Sequence, residues 1–254
     1  MMEFIKNSII SSMEYIGGIF VILLRTFIKV KGLYRKFDLF VEQIFFQGVK
    51  SISIVMFTSL FMGMVTAYQA YYQAKQYMPD VYIGMSVCKA LFIELGPLIV
   101  GLVIAGRVSS SIAAELGSMK VTEQIDALEA FAIDPIEHLV VPRVFAGILI
   151  LPILTIIAEL TGVVGGWMLS AMTLNISSAV YWRGVRLNYY PITLYGGLIK
   201  AIAFGLTLTI MGCYYGLRTE GGAEGVGEST TKAVISSTIL ILFLDYVVSR
   251  LVFT

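Results

Sequence analysis

Polar residues are spaced so widely along this chain that five stretches, 48–73, 84–112, 143–172, 193–217 and 232–253, each approach or exceed the ~20 predominantly apolar residues a helix needs to cross a ~30 Å hydrocarbon core. They predict five membrane-spanning α-helices. The apolar runs are continuous rather than alternating, which excludes a transmembrane β-barrel. Connections are short except for 117–143 and the stretch after Met172, so residues 41–254 read as one helical membrane domain. Residues 1–40 stand apart. Their apolar run is broken by Glu14, lacks a cleavage site, and is followed by Arg25, Lys29, Lys31, Arg35 and Lys36. This predicts an amphipathic helix lying in the membrane interface with its basic residues at the headgroups, a further span being the alternative.

The pattern changes between the second and third runs. Val121, Ile125, Leu128 and Ala132 recur at i, i+4, i+7 and i+11, while Lys120, Glu123, Gln124, Asp126 and Glu129 fill the other faces. This is an amphipathic helix, stopped by Asp134-Pro135 and too polar to span. Its apolar side needs cover, either from the ends of its own bundle or from another protein. Small residues recur every fourth position at Gly101, Ala105, Ser109, Ala113 and Gly117, and again at Gly162 and Gly166. They predict close helix packing without saying whether the facing helix belongs to this chain or to a second copy.

Composition agrees with an integral membrane protein: 57% of the 254 residues are hydrophobic and 14% charged, with a mean hydropathy of +0.85. A net charge of +1, spread along the chain, gives no basis for nucleic-acid binding. Cys88 and Cys213 lie in apolar runs and read as buried thiols. If the N-terminus is cytoplasmic, that side receives twelve of the eighteen Lys and Arg, and the other side keeps six, Lys200 among them. The stretch YWRGVRLNYY, 181–190, is then a periplasmic loop in an aromatic belt. The single histidine, His138, has no catalytic company, and no metal-ligand set, cofactor motif or ATPase motif is visible. The Gly-rich stretch 221–230 reads as a flexible turn. Three acids, Glu94, Glu159 and Asp245, fall inside spans, where each costs ~2.5–3.5 kcal/mol at the bilayer centre. Glu94 adjoins the Gly96-Pro97 kink, which leaves room for water or a headgroup beside it. All three read equally well as hydrogen-bonding glue between helices.

The run ELGPLIVGLVIAGRVSSSIAAELGSMKVTEQIDALEAFAIDPIEHLVVPRV, with GLRTEGGAEGVGESTTKAVISSTILILFLDYV near the C-terminus, closely resembles MlaE-type (YrbE-like) permeases. These are membrane subunits of ABC transporters that work with Mce-domain lipid carriers. The resemblance implies a five-span bundle of the exporter type with an interfacial N-terminal helix, working as a homodimer in the bacterial inner membrane. It implies a coupling helix within Glu115–Pro135, docked on a separate cytoplasmic ATPase subunit, with Glu115, Lys120, Glu123, Gln124, Ile125, Asp126, Leu128 and Glu129 as its residues. It further implies a periplasmic Mce partner and phospholipid passing through a cavity, with Glu94 and Leu95 of the ELGP motif, Pro97 and, near the mouth, Tyr77 beside it. Relatives often place a basic residue just before this glutamate. Here Ile93 stands there, so the resemblance gives no local charge pair or basic headgroup contact at that place. An intramembrane enzyme of lipid metabolism and a secondary transporter are the alternatives, and the sequence shows neither a catalytic constellation nor repeated broken helices for them.

Overall fold

The computed structural model describes residues 17–74 and 77–253, so the first sixteen residues of the expected interfacial helix lie outside the described residues. Helix α1 covers residues 17–28, and a 3-10 stretch, Lys29–Lys36, leads into α2 (Phe37–Gln47). A second 3-10 turn, Val49–Ser51, precedes α3 (Ile52–Ala74). Then come α4 (Val81–Ala90), α5 (Gly96–Ile104) and α6 (Ser110–Val121), joined through π turns at Leu91–Leu95 and Ala105–Ser109. The short α7 (Gln124–Ala130) is followed by a π turn, Ile136–Val140, that opens α8 (Val141–Met172). The chain ends in α9 (Ser178–Leu187), α10 (Pro191–Leu217) and α11 (Gly222–Phe253). Among the described residues there is no strand. Five segments are long and apolar enough to cross a membrane: Phe37–Gln73, Val81–Val121, Ile136–Met172, Pro191–Leu217 and Gly222–Val252. They contain the five predicted runs except for a residue at the C-terminal end, and most extend beyond them, because the helices continue into more polar sequence.

The chain folds as two compact units. One takes the described residues up to Ile44 together with Ala105–Gly147 and Leu206–Thr238. Here Ser109 and Ser237 share a hydrogen bond at 3.0 Å, and a Cβ at Gly117 would stand 2.8 Å from the Thr219 hydroxyl, so the lower half of the small-residue stripe is packed within the chain. Two of the basic residues expected at headgroups are engaged by protein instead: Lys29 pairs with Asp134, and Lys36 Nζ lies 3.3 Å from Glu137 Oε1. The Gly-rich stretch also differs from expectation. Only Gly221 and Gly222 adopt positive φ, at 85° and 70°, and Ala223 onward is already helical. Lys232 and Glu228, one turn apart and 2.8 Å from each other, belong to that helix.

The other unit takes Phe45–Ile104, Ile148–Gly205 and the residues from Ile239 onward. Its core gathers Val87, Cys88, Leu91, Phe92, Val163 and Tyr181. The expected loop at 181–190 is largely the helix α9, and Tyr181 is core rather than belt. The reason is a backbone contact: a Cβ at Gly84 of α4 would collide with the Tyr181 carbonyl, and one at Gly184 of α9 with the Val81 carbonyl. Two glycines one against the other bring the helices together, and no loop buries backbone so closely without helical hydrogen bonding. The Tyr181 hydroxyl donates to the Val163 carbonyl at 2.9 Å, and Asn188 donates to the Met85 carbonyl at 3.0 Å, fixing both ends of α9. Burial, with Cys88 nearby, pushes the Tyr181 phenol above the ordinary tyrosine range, which keeps it a donor.

Candidate functional site

Pro97 has no N–H to give, so the carbonyl of Ile93, four residues earlier, loses its α-helical partner. The π turn Leu91–Leu95 widens the helix at the same place, the Gly96 amide reaching back to the Leu91 carbonyl. Lys200 of α10 fills the vacancy. Its Nζ donates to the Ile93 carbonyl at 3.0 Å and lies 2.7 Å from Glu94 Oε2 and 2.9 Å from Asp245 Oδ1. The ammonium thus hydrogen-bonds the Ile93 carbonyl and Glu94, and it ion-pairs with Asp245, whose Oδ1 receives no hydrogen bond among the described residues. Ser249 adds a hydrogen bond to Glu94 Oε2 at 3.2 Å. The Lys200 side chain is 0% exposed and that of Asp245 9%, whereas the Glu94 side chain is 40% exposed. What the cluster presents outward is therefore the Glu94 carboxylate.

Leu95 is half-buried against the core of the same unit, and Pro97 is buried one helical turn from Glu94. Tyr77 is 83% exposed in the turn before α4. The thirteen residues from Val81 to Glu94 rise ~20 Å, so Tyr77 and Glu94 are not brought together. An open cleft of about 450 Å³ lies along α3 and α4, lined by Thr66, Gln69, Gln73, Met78, Ser86 and Ala90. Glu159 of α8 is 1% exposed, and neither carboxylate oxygen has a hydrogen-bond partner among the described residues. Among the same residues no group of three or more His, Cys, Asp or Glu could hold a metal ion.

The segment expected to couple is built differently from its apolar period. Thr122 ends α6 by bonding its hydroxyl to the Ser118 carbonyl at 2.8 Å, and Glu123 turns left-handed with φ 59°. The predicted single helix is thus the end of α6 plus α7. Lys120 bridges the break to Asp126 at 2.7 Å, and Gln124 donates to the Thr122 hydroxyl at 2.9 Å. The amides of Ala132 and Ile133 bond the carbonyls of Glu129 and Leu128, both at 2.9 Å, closing α7 in a Schellman turn with Ala132 at φ 58°. Ile125 is buried by the chain itself, Leu128 half-buried, Glu123 and Glu129 exposed, and Phe131 exposed at 78%. Glu115 pairs with the buried Arg143 at 2.8 Å. Asp134 accepts the amides of Ile136 and Glu137 at 2.9 and 3.3 Å while Pro135 opens the helix, a helix cap as well as an ion-pair partner.

Two residues escaped the sequence reading. Lys200 counts only among the basic residues of the side opposite the N-terminus in the charge balance, although its place inside YGGLIKAIAFG, within a span, is the signal that marks it. Asp134 was read only as part of a helix stop, although Asp before Pro also signals a helix start.

Over residues 40–251 the chain matches the protein family described as Permease MlaE. It is 38% identical over 245 residues to a probable ABC transporter permease protein of Rickettsia prowazekii, 95% of each chain being covered. A probable ABC transporter permease protein of Synechocystis is 41% identical over 213 residues, 84% of this chain and 81% of the relative. The intermembrane phospholipid transport system permease protein MlaE of Haemophilus influenzae is 31% identical over 220 residues, 86% of this chain and 84% of the relative.

Proposed function

Because the chain belongs to the MlaE permease family and is a transport component rather than an enzyme, we propose that it moves phospholipid between the inner membrane and a periplasmic Mce-domain carrier, driven by a separate cytoplasmic ATPase subunit. The lipid class is taken from the phospholipid transport system named for the Haemophilus relative. The observation that carries the reading is the Glu94 carboxylate, held inside its span by a fully buried base yet 40% exposed. A carboxylate so placed offers a hydrogen-bond acceptor to a headgroup where hydrocarbon offers none. Leu95, Pro97 and Tyr77 belong to the same proposed path, with the cleft along α3 and α4, lined by Met78, Ser86 and Ala90, as part of it.

The remaining parts of the proposal concern assembly. Two copies form the working permease, with residues 1–40 as the interfacial region and 41–254 as the permease domain. The N-terminus is cytoplasmic, and the surface from Glu115 through Lys120, Glu123, Gln124, Asp126, Leu128 and Glu129 receives the ATPase, Ile125 holding α7 to the chain beneath it. The polar interruption is then the site at which nucleotide-driven closure reaches the spans.

The test uses the complete complex with its ATPase and Mce partners in liposomes, following ATP-dependent transfer of a labelled phospholipid. Glu94→Gln leaves Lys200 balanced by Asp245, so assembly and ATP hydrolysis persist. Transfer falls by about tenfold or more, the value of one hydrogen bond to a charged group. Transfer at the wild-type rate by this variant overturns the role of Glu94, and ATP-independent transfer by the chain alone overturns the whole reading.

A further inference from the structure

Glu159 is the one buried carboxyl of its unit that Lys200 does not reach, and its surroundings are made to hold it. A Cβ at Gly96 would come 2.9 Å from its Cγ, and a Cβ at Gly197 3.1 Å from its Oε1, so glycines on α5 and α10 leave the acid its space. Glycine inside a helix is itself unfavourable relative to alanine. Three unfavourable choices, two glycines and an unpartnered buried acid, thus coincide at one point. That point borders a cavity of about 430 Å³. Its walls include Phe92, Val163, Val185 and Leu194, and Glu159 is the only charged residue lining it. Ile156, Leu160 and Val164, one helical ridge of α8 exposed at 38, 59 and 37%, stand at its edge, so the opening faces what surrounds a membrane helix, hydrocarbon. At the other edge Trp182 and Tyr189 supply an indole N–H and a phenol O–H.

We propose that this cavity is a binding site for an aminophospholipid taken laterally from the bilayer, its primary ammonium received by Glu159 as that side chain turns to the cavity from the space beside Gly96 and Gly197 where both its oxygens are occluded, its phosphate by Trp182 and Tyr189, and one acyl chain by the apolar walls. Charge complementarity selects the head: one carboxylate with two unserved oxygens matches a group with one positive charge and three N–H donors. A trimethylammonium carries the same charge and no N–H. An aqueous amine is disfavoured because the entrance is apolar. The site is separate from the Glu94 cluster, and its occupancy requires neither ATPase nor transport, so it stands or falls independently of the function proposed above.

The chain has two tryptophans, so Trp167→Phe leaves Trp182 as the sole reporter. The full-length protein in nanodiscs is titrated with phosphatidylethanolamine carrying brominated chains, with its N-methyl and N,N-dimethyl derivatives, and with brominated phosphatidylcholine. Half-quenching of Trp182 is expected at about tenfold lower mole fraction for the ethanolamine lipid than for the choline lipid, one charge-assisted hydrogen bond, with the derivatives in between. Glu159→Gln abolishes the difference. Equal quenching by all four lipids overturns the proposal, as does a preference that survives Glu159→Gln. The methylation series decides the matter on unsubstituted Glu159 if that variant fails to fold. Dodecylamine, which lacks a phosphate, should compete weakly; competition as strong as that of the ethanolamine lipid overturns the assignment of Trp182 and Tyr189.

Discussion

Lys200→Met removes the charge of the intramembrane base while keeping most of its aliphatic length. The geometry sets the magnitude. Asp245, with a side chain 9% exposed, loses an ion pair of 2.9 Å in an apolar setting, and removing one partner of a buried pair costs ~3–5 kcal/mol. Glu94 contributes little to this sum because its side chain is 40% exposed and screened. The Ile93 carbonyl, which Pro97 cannot serve, loses its donor at 3.0 Å, a further ~1 kcal/mol. A loss of about 4 kcal/mol lowers the melting temperature of a chain of this size by roughly 10 °C, at ~2–4 °C per kcal/mol.

The assay is thermal unfolding of the detergent-solubilised protein, followed by tryptophan fluorescence, for Lys200→Met, Asp245→Leu and the double variant. Lys200→Met strands the buried Asp245 and Asp245→Leu leaves Lys200 paired with Glu94 alone, whereas the double change leaves only Glu94 at a partly exposed position, so the double variant should be more stable than the Lys200→Met single. A Lys200→Met melting point within about 2 °C of wild type would refute the reasoning, given the ~2–4 °C expected for each kcal/mol. So would strictly additive losses, because groups that act independently show no coupling in such a cycle.

Phe131→Asp or Leu128→Asp should weaken binding of the ATPase subunit, measured by co-purification, without changing thermal stability, whereas Ile125→Asp, buried by the chain, should destabilise the protein itself. Wild-type ATPase binding by the Phe131 and Leu128 variants together would remove the docking assignment. For orientation, Ser118→Cys and Leu187→Cys both lie at exposed positions, and the native Cys88 and Cys213 are buried, so background labelling is low. An impermeant thiol reagent applied from the periplasmic side should label Leu187→Cys and spare Ser118→Cys; the reverse pattern would invert the topology.

The spans were legible in the sequence because hydrocarbon imposes one constraint on every residue of a helix, and a run of apolar positions meets it wherever the helix packs. The small-residue stripe told of close packing, but only coordinates could say that Gly117 meets Thr219 and Ser109 meets Ser237 of the same chain. Helix α9 was illegible for a related reason. YWRGVRL carries aromatic and basic residues suited to an interface, and what makes it a packed helix is Gly184 meeting Gly84, a hundred residues away in sequence. The break between α6 and α7 was hidden because apolar spacing is indifferent to a single left-handed residue. Glu123 carries no glycine-like mark, and Thr122, whose hydroxyl competes for the helix carbonyls, was the one local hint.

Glu94 and Glu159 show why the presence of an acid in a span does not determine its role. Both adjoin the same break in the helix, Glu94 two residues before Gly96 and Glu159 packed against it. Pro97 frees the Ile93 carbonyl, and that carbonyl together with Glu94 draws the Lys200 ammonium to one side of the break. The same ammonium ion-pairs with Asp245 at 2.9 Å. No hydrogen bond reaches either Glu159 oxygen among the described residues. The asymmetry follows from where the one base lies. Lys200 is drawn to the Ile93 carbonyl, Glu94 and Asp245, so a third acid in this region must meet its partner from outside the chain or be held neutral, and the glycines that make room for it are wasted unless something comes.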